Sequence, residues 1–141
     1  MPRNTDLSHG NWDIDLDFGK VGEQTLVDLL ESDGSIEVKT ERDEGNPKQW
    51  KTTGNIAIET SCNGKPSCIS ITKANHWIHA LTDNGEFMGA FIFNVDKLRK
   101  KLKTMEKNGT LRVVQGGDNN ASRLVLLPIK EAFSECLNER E

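Results

Sequence analysis

The spacing of apolar and polar positions along this chain predicts a helix, then strands, then a second helix and further strands. In "GKVGEQTLVDLLESDG" apolar residues recur at helical intervals, which predicts a helix over residues 20–31 that ends at Gly34. Its apolar stripe consists of Val21, Leu26, Leu29 and Leu30. A helix of this kind packs one side on a core and leaves the other to solvent.

Alternating segments rich in β-branched residues follow. "SIEVKTE" (35–41) and "GNIAIETS" (54–61) are predicted strands separated by a polar loop, and we expect them to pair as antiparallel neighbours. "CNGKPSC" is interpreted as a turn and "SITKAN" as a short helical turn. "HWIHALT" and "FMGAFIFNV" are two further predicted strands around the hairpin sequence "DNGE".

The second half of the chain contains a basic helix in this interpretation. "DKLRKKLKTMEKNG" has Asp96 near the predicted helix start and Gly109 as its stop. "TLRVVQGG" and "SRLVLLPI" are predicted as extended segments, and "KEAFSECLNE" as a short terminal helix. The order of elements predicts an α/β (α+β) fold with one mixed central sheet flanked by helices, in a single domain over residues 1–141.

Composition narrows the class of protein. A chain of 141 residues with 35% hydrophobic residues and a mean hydropathy of -0.59 fits one domain with a single core, and no run approaches the roughly 18 to 20 apolar residues of a membrane span. The N-terminal residues lack the apolar stretch after a basic start that marks a secretory signal. We therefore expect a cytoplasmic protein, located in the host cytoplasm if a phage encodes it.

Cysteines and charge exclude other classes. Cys62, Cys68 and Cys136 have no zinc-site spacing among themselves or with the three histidines, so free thiols are expected. The net charge of -4 argues against a general nucleic-acid coat, although residues 97–107 hold six of the eighteen Lys and Arg. We expect that helix to present a solvated face, with phosphate contact as the alternative.

Two strand acids and a lysine suggest the chemistry. Alternation places Glu37, Lys39 and Glu41 on one face of the first strand, and Glu59 is expected to face Glu37 from the second. Two close carboxylates repel each other unless a proton or a cation lies between them, and hard oxygen ligands suit magnesium or manganese. Lys39 would then act on the attacking water or on phosphate charge. The competing interpretation is a solvated strand face, where Glu-x-Lys pairs are common.

The chain resembles the PD-(D/E)XK nuclease superfamily over about residues 12–82, in particular small phage-type members related to restriction endonucleases and Holliday junction resolvases. The resemblance rests on four segments in this order: "GKVGEQTLVDLL", "IEVKTERD", "TTGNIAIET" and "GKPSCISITKANHWIHAL". The resemblance implies a restriction endonuclease-like core and one or two Mg²⁺ or Mn²⁺ ions. Carried onto this chain, it makes Glu23 the helix acid and Glu37 and Glu59 the strand acids. Lys39 becomes the catalytic lysine.

The chain departs from the family signature in one respect. If Glu59 is the acid of the E-x-K signature, the lysine position holds Ser61. If "EVK" at Glu37 is that signature, an aspartate is wanted on an earlier strand. The candidates for it are Asp33 and the acids of "DIDLD", Asp13, Asp15 and Asp17. We adopt the first alignment, with the lysine supplied by Lys39 of the neighbouring strand.

Three other residues are interpreted as nucleic-acid contacts. Trp50 and Lys51 lie in the loop between the two predicted strands, where a tryptophan can stack on a base and a lysine can meet a phosphate, although an ordinary loop tryptophan folded over the core is the equal alternative. Lys73 is placed near the scissile phosphate. Trp77 and His79 are interpreted as core and sheet-face residues.

These residues lead to three hypotheses. The first is a metal-dependent deoxyribonuclease that hydrolyses phosphodiester bonds in phage-type DNA repair, recombination or genome processing. The second is a catalytically weak nuclease-fold module that binds DNA or protein, and the third is an α+β interaction domain. The sequence leaves open the DNA structure cut and DNA versus RNA. A homodimer is expected only if the substrate is a four-way junction, which needs two cuts.

Overall fold

The computed structural model describes residues 20–29, 31 and 35–134. The chain divides into two compact units, Met1–Asp33 and Gly34–Glu141, and each is described by itself.

The first unit contains helix α1, residues 20–29, which confirms the helix that the sequence predicts there. Val21 and Leu26 of the predicted apolar stripe are exposed, whereas Leu29 is buried. Leu30 and the predicted stop Gly34 lie outside the described residues, as do the alternative acids Asp13, Asp15, Asp17 and Asp33.

The second unit contains the strands and two further helices. In chain order the strands are β1 (Ile36–Asp43), β2 (Asn55–Cys62), β3 (Lys65–Pro66), β4 (His76–Asp83), β5 (Glu86–Asn94), β6 (Arg112–Gly116) and β7 (Ser122–Pro128). The helices are α2 (Trp50–Thr53) and α3 (Val95–Lys107). The predicted strands and the basic helix are therefore confirmed, and the predicted "CNGKPSC" turn includes the short strand β3.

The strands form two sheets in the described part of the chain. The first has the order β1-β4-β5, with β1 parallel to β4 and β4 antiparallel to β5. The second has the order β3-β2-β7-β6 and is antiparallel throughout. The fold is thus a mixed α and β class, as predicted, but the prediction of one mixed central sheet is wrong.

The predicted antiparallel pairing of the first two strands is also wrong. β1 pairs with β4, which places Lys39 opposite His79, while β2 pairs with β7, which places Glu59 opposite Leu124. The reason lies in the connection, because the loop after Asp43 contains α2 and is too long to force a hairpin. Long-range packing therefore decides which strands become neighbours.

Two local signals of the sequence work as expected. Asn84 and Gly85 both have positive φ, 47° and 83°, so the turn between β4 and β5 has the backbone that Asn-Gly favours. Helix α3 ends before Gly109, whose φ is 72°. Its N-cap is Asn94, whose side chain accepts from the Lys97 amide at 3.0 Å, and Asp96 lies in the first turn, near the helix start as predicted.

One hydrophobic core joins both sheets of this unit to α3. The residues with the least exposure, 0% each, are Ile56, Ile58, Val125 and Leu127, which come from the paired strands β2 and β7. The remaining buried members of the cluster are Ile69, Trp77, Leu81, Phe93, Val95, Leu98, Leu102, Met105 and Ala132. Trp77 is a core residue, as predicted, and His79 beside it is also buried.

Two predicted helical segments differ from the structure. The helical turn expected at "SITKAN" lies earlier, as a 3-10 turn over Cys68–Ser70. The expected terminal helix is a 3-10 turn, Ile129–Glu131, followed by a turn to residue 134, and the chain beyond lies outside the described residues. None of the helices in the described ranges is long and apolar enough to cross a membrane.

Candidate active site

The charged face of β1 points into the protein rather than out to solvent. In the parallel register Glu37 lies beside Trp77 and Lys39 beside His79, and paired residues of neighbouring strands project from the same face. Trp77 and His79 are 1% and 2% exposed, whereas Val38 on the opposite face of β1 is 57% exposed. The strand is therefore inverted relative to an ordinary amphipathic strand, with its charges on the covered side.

Lys39 lies between acidic groups on this face. Its ammonium is 3.2 Å from Glu37 Oε1 and also interacts with Cys68. Burial favours the neutral amine, but the hydrogen bond that Lys39 donates to Glu37 and the neighbouring negative charge outweigh it, so the pKa of Lys39 is raised above its ordinary value. Lys39 is consequently a charged donor at neutral pH, not a base.

Glu59 is held by three donors from two segments. Ser67 Oγ and Cys68 Sγ donate to Oε2 at 2.7 and 2.9 Å, and the buried Ser122 donates to Oε1 at 2.5 Å. The hydrogen bond from Cys68 is the largest influence on its pKa, followed by those from Ser122 and Ser67. Together with the charge of Lys39 they lower the pKa of Glu59 against the opposing effect of burial. Glu59 is therefore an anion at neutral pH.

Cys68 links the two acids of the site. Its thiol donates to Glu59 and also interacts with Lys39 and with the charge of Glu37. Burial, then the hydrogen bond to Glu59, raises the pKa of Cys68 to about 11, so the thiol is protonated and is no nucleophile at neutral pH. Cys68 also has a φ of 47°, a backbone conformation that side-chain-bearing residues adopt at a cost and that is frequent at functional sites.

A second chain of hydrogen bonds runs through Glu41. Trp77 Nε1 donates to His79 Nδ1 at 3.2 Å, so the imidazole proton lies on Nε2, from which it donates to Glu41 Oε1 at 2.8 Å. The same carboxylate accepts from the backbone amide of Ala57 on β2 at 2.7 Å. Glu41 thereby joins the first sheet to the edge of the second and satisfies a buried imidazole.

These groups line one cleft of about 330 Å³ between the two sheets. The polar and aromatic residues in its wall are Lys39, Thr40, Glu41, Glu59, Cys68, Trp77 and His79. Glu37 is linked to this wall by its ion pair with Lys39, and its predicted convergence with Glu59 stays a prediction. The two strands do not pair, but Lys39 and Cys68 connect their acids.

A β-bulge lies beside Glu59. The register of β2 against β7 shifts between Glu59 and Ser61, so the regular alternation of side chains stops at this point. Ser61, at the position where the family signature has lysine, lies past the irregularity and pairs with Pro66 of β3. A lysine at position 61 would therefore not follow Glu59 on the face that ordinary alternation implies.

The predicted nucleic-acid contacts lie apart from this cleft. Trp50 packs against the core, and its indole nitrogen donates to the Thr82 carbonyl at 3.0 Å, which fits the loop tryptophan folded over the core. Lys51 pairs with Asp83 at 2.7 Å, and its hydrogen bond to that acid raises its pKa. Lys73 is exposed in the segment before β4. Their roles in DNA binding stay predictions.

Asp43 anchors the loop that carries Trp50 and Lys51. Its buried carboxylate accepts from the amides of Gly45 and Lys51, both at 2.9 Å. The Gly45 hydrogen bond, then that of Lys51, lowers the pKa of Asp43 against the effect of burial. This network explains why α2 begins where it does.

A divalent cation such as Mg²⁺ needs hard oxygen ligands from the protein, from water or from the substrate. Among residues 20–29, 31 and 35–134, no three His, Cys, Asp or Glu side chains lie together in a metal-ligating arrangement. Mg²⁺, however, commonly takes only one or two protein carboxylates and completes its octahedron with water and substrate phosphate. Glu59 Oε1 accepts from a single donor in the structure, which leaves a lone pair, and the Glu37 side chain is 27% exposed. Each acid therefore has an oxygen available to such an ion, and a site shared by the two stays a prediction.

Glu23, the predicted helix acid, lies on α1 in the first unit and is exposed. Its assignment as a metal ligand stays a prediction. Sequence reasoning missed Glu41, Cys68 and His79 as members of the cleft. The membership of Glu41 could have been predicted, because it shares a strand face with Glu37 and Lys39. The sequence around Cys68 contains no pattern that would have predicted its place in the cleft.

A scan against protein-family models, a search of curated proteins and a search of solved structures each find no match to this chain. The resemblance to the PD-(D/E)XK superfamily accordingly rests on the sequence segments quoted above.

Proposed function

We propose that this protein is a divalent-metal-dependent nuclease that hydrolyses DNA phosphodiester bonds in the cleft between its two sheets. The observation that carries the proposal is the Lys39 ammonium, which lies 3.2 Å from Glu37 and close enough to Glu59 to lower its pKa. Close carboxylates repel each other unless positive charge lies between them, and Lys39 supplies positive charge to both acids here.

The inverted face of β1 supports a functional role for these charges. Covering ionised groups costs free energy unless each is paired, so an ordinary small domain places such a face outward. Here the apolar Val38 is 57% exposed, whereas the paired side chains of Glu37, Lys39 and Glu41 are 27%, 41% and 19% exposed. Strongly interacting charges in a cleft are a frequent property of active sites.

Glu37 and Glu59 are the residues that would hold the cation, and the role of Glu23 stays a prediction from the sequence. A bound Mg²⁺ or Mn²⁺ supplies a Lewis acid for the phosphate and lowers the pKa of a water molecule. The lowered pKa of Glu59 keeps it ionised and ready to bind at neutral pH. The hydrogen bonds from Ser67 and Ser122 fix the direction of its carboxylate.

Lys39 acts as a charged donor in this proposal. Because its pKa is raised, it carries its proton at neutral pH and is unsuited to remove one from water. The ammonium would pair with a non-bridging phosphate oxygen and stabilise the charge that develops there. The role assigned to it is therefore electrostatic.

Glu41 and His79 are positioning residues. Their hydrogen bond, together with the amide of Ala57, holds β1 against the edge of β2 and so sets the position of Lys39 relative to Glu59. A displacement of about 1 Å in a catalytic group lowers the reaction rate strongly. This hydrogen-bonded link would therefore contribute to catalysis as well as to folding.

The test is cleavage of end-labelled linear, flapped and four-way DNAs, and of an RNA of the same sequence, with Mg²⁺, Mn²⁺ or EDTA. We expect cleavage with either metal and none in EDTA. Lys39→Ala is expected to reduce turnover about a hundredfold or more while its melting temperature stays near that of wild type. Lys48→Ala, which removes an exposed lysine in the loop after β1, is the matched control and should cleave normally.

A normal rate for folded Lys39→Ala would remove the lysine from the site and make Lys73 the next candidate. DNA binding without metal-dependent turnover would favour the second function, a nuclease-fold binding module. Preference for four-way DNA would favour a homodimer, because symmetric cutting needs two sites. A cytoplasmic location, in the host if a phage encodes the chain, belongs to the same proposal.

A further inference from the structure

Helix α3 separates its apolar and basic residues onto opposite faces. Val95, Leu98, Leu102 and Met105 are buried in the core. The exposed basic side chains on the other face are Lys97, Lys100, Lys103 and Lys107. With a rise of 1.5 Å per residue, these four ammonium groups are distributed over about 15 Å of helix.

Positive charge outweighs negative charge on this face, where Asp96 lies among Lys100, Lys103 and Lys107. Within the described residues, the ion pairs include none of these four lysines. Lys101 differs, since its ammonium is hydrogen bonded to Ser134. The helix contains six basic and two acidic side chains, a net charge of +4, in a chain whose total is -4. A concentrated positive face in an acidic protein attracts anions locally, although the whole molecule repels them.

The basic face is connected to the candidate active site by Arg99. Its guanidinium donates to the carbonyls of Ile69 at 2.8 Å and Thr72 at 2.6 Å. Ile69 and Thr72 follow Ser67 and Cys68 in the chain, and the side chains of Ser67 and Cys68 donate hydrogen bonds to Glu59. Arg99 is thus used to fix the segment that shapes the cleft, and the free lysines on α3 lie on the same helix.

We propose that the exposed face of α3, defined by Lys97, Lys100, Lys103 and Lys107, binds the sugar-phosphate backbone of DNA. Phosphates of one strand advance about 3.4 Å along the duplex axis, so about four of them match the length of this face. Contacts of this type position a nucleic acid without reading its sequence. The inference deepens the proposed function by naming where the substrate is held outside the cleft.

The experiment measures binding alone, in EDTA, so that cleavage plays no part. Fluorescence anisotropy of a labelled 20-base-pair duplex is recorded from 50 to 200 mM salt for wild type and for the triple variant Lys100→Gln, Lys103→Gln and Lys107→Gln. The matched control is Lys48→Gln, Lys65→Gln and Lys130→Gln, which changes the net charge equally at exposed positions elsewhere. Thermal unfolding confirms that both triple variants are folded.

We expect the α3 variant to bind DNA about tenfold or more weakly than wild type at the lowest salt. The slope of log affinity against log salt should decrease in magnitude by about 2 to 3, because each lost phosphate contact removes about 0.9. The control should keep the wild-type slope. Equal losses in both variants, no DNA binding by wild type, or α3-dependent binding to phosphatidylserine vesicles in place of DNA would each overturn the inference.

The two proposals fail separately. Metal-dependent cleavage by wild type with an unchanged salt slope in the α3 variant contradicts the binding face and leaves the nuclease standing. An altered slope without cleavage under any metal supports the binding face and contradicts the nuclease.

Discussion

In both β1 and β2, side chains alternate between the two faces of the strand. The face that β2 turns into the protein is apolar, whereas the face that β1 turns inward is charged. On β2 the inward residues are Ile56 and Ile58, each 0% exposed. On β1 the covered face holds Glu37, Lys39 and Glu41, and the apolar Val38 is left 57% exposed. Alternation shows that the two faces of a strand differ, but it does not show which face is covered.

The difference follows from what each face contacts. The apolar residues of β2 meet Val125 and Leu127 of β7 in the core. The charges of β1 are covered only because partners neutralise or hydrogen bond them, with Glu37 paired to Lys39 and Glu41 to His79. One strand therefore turns apolar residues toward the core, and the other turns paired charges toward the cleft.

The largest effect that sharpens this comparison is expected in the core. Ile58→Ala should lower the free energy of unfolding by about 2–5 kcal/mol because it leaves a cavity in a fully buried site. Val38→Ala on the exposed face of β1 should cost less than about 1 kcal/mol. Urea denaturation of the two variants measures both. Similar losses would show that the apolar face of β1 is covered after all.

A smaller loss is expected when the covered charge network is broken. Glu41→Ala removes the acceptor of both the His79 imidazole and the Ala57 amide, and an unsatisfied buried donor costs about 1–3 kcal/mol. Arg42→Ala, one residue along on the exposed face, is the control and should be nearly neutral. Urea denaturation again gives the comparison, and a neutral Glu41→Ala would contradict a covered face.

Acid should weaken the protein partly through Glu59. Its folded pKa lies below the ordinary 4.5, so the unfolded chain takes up the proton first, and the stabilisation present above pH 4.5 is lost as the pH falls through the folded pKa. In Glu59→Gln the free energy of unfolding should fall less steeply between pH 5 and 3. Glu86→Gln, an exposed acid of β5, should keep the wild-type slope. Equal slopes in all three proteins would show that Glu59 is not held as described.

The smallest effect concerns the backbone at Cys68. Both Cys68→Gly and Cys68→Ala remove the thiol, but only glycine adopts a φ of 47° without strain, so the glycine variant should be more stable than the alanine variant by about 1 kcal/mol. Differential scanning calorimetry gives the difference. If alanine is the more stable of the two, the left-handed conformation at this position is incorrect.

Much of the secondary structure can be predicted because its signals are local. Helix α1, the strands and the Asn84-Gly85 turn follow from periodicity and turn chemistry. Strand pairing cannot be predicted in this way, because β2 and the loop after it separate β1 from its partner β4 in the sequence. Pairing between segments so far apart depends on how the core closes, which a local pattern does not encode.

The candidate site is predictable to a similar degree. Residue types and alternation identify Glu37, Lys39 and Glu59, since their chemistry is carried by the side chains themselves. Cys68 and His79 enter through contacts between segments, with Glu59 and Glu41 respectively. Trp50 packs against the core, which is one of the two alternatives that its sequence context left open.

The most direct test of the central claim, that the covered acids of β1 and β2 form one cation site, is calorimetric titration with Mn²⁺. Wild type and the exposed control Glu86→Gln should each bind at this site. Glu37→Gln and Glu59→Gln, both verified as folded, should lose it or bind about tenfold or more weakly, as expected when a ligand of a site is removed. Equal Mn²⁺ binding by all four proteins would contradict the account.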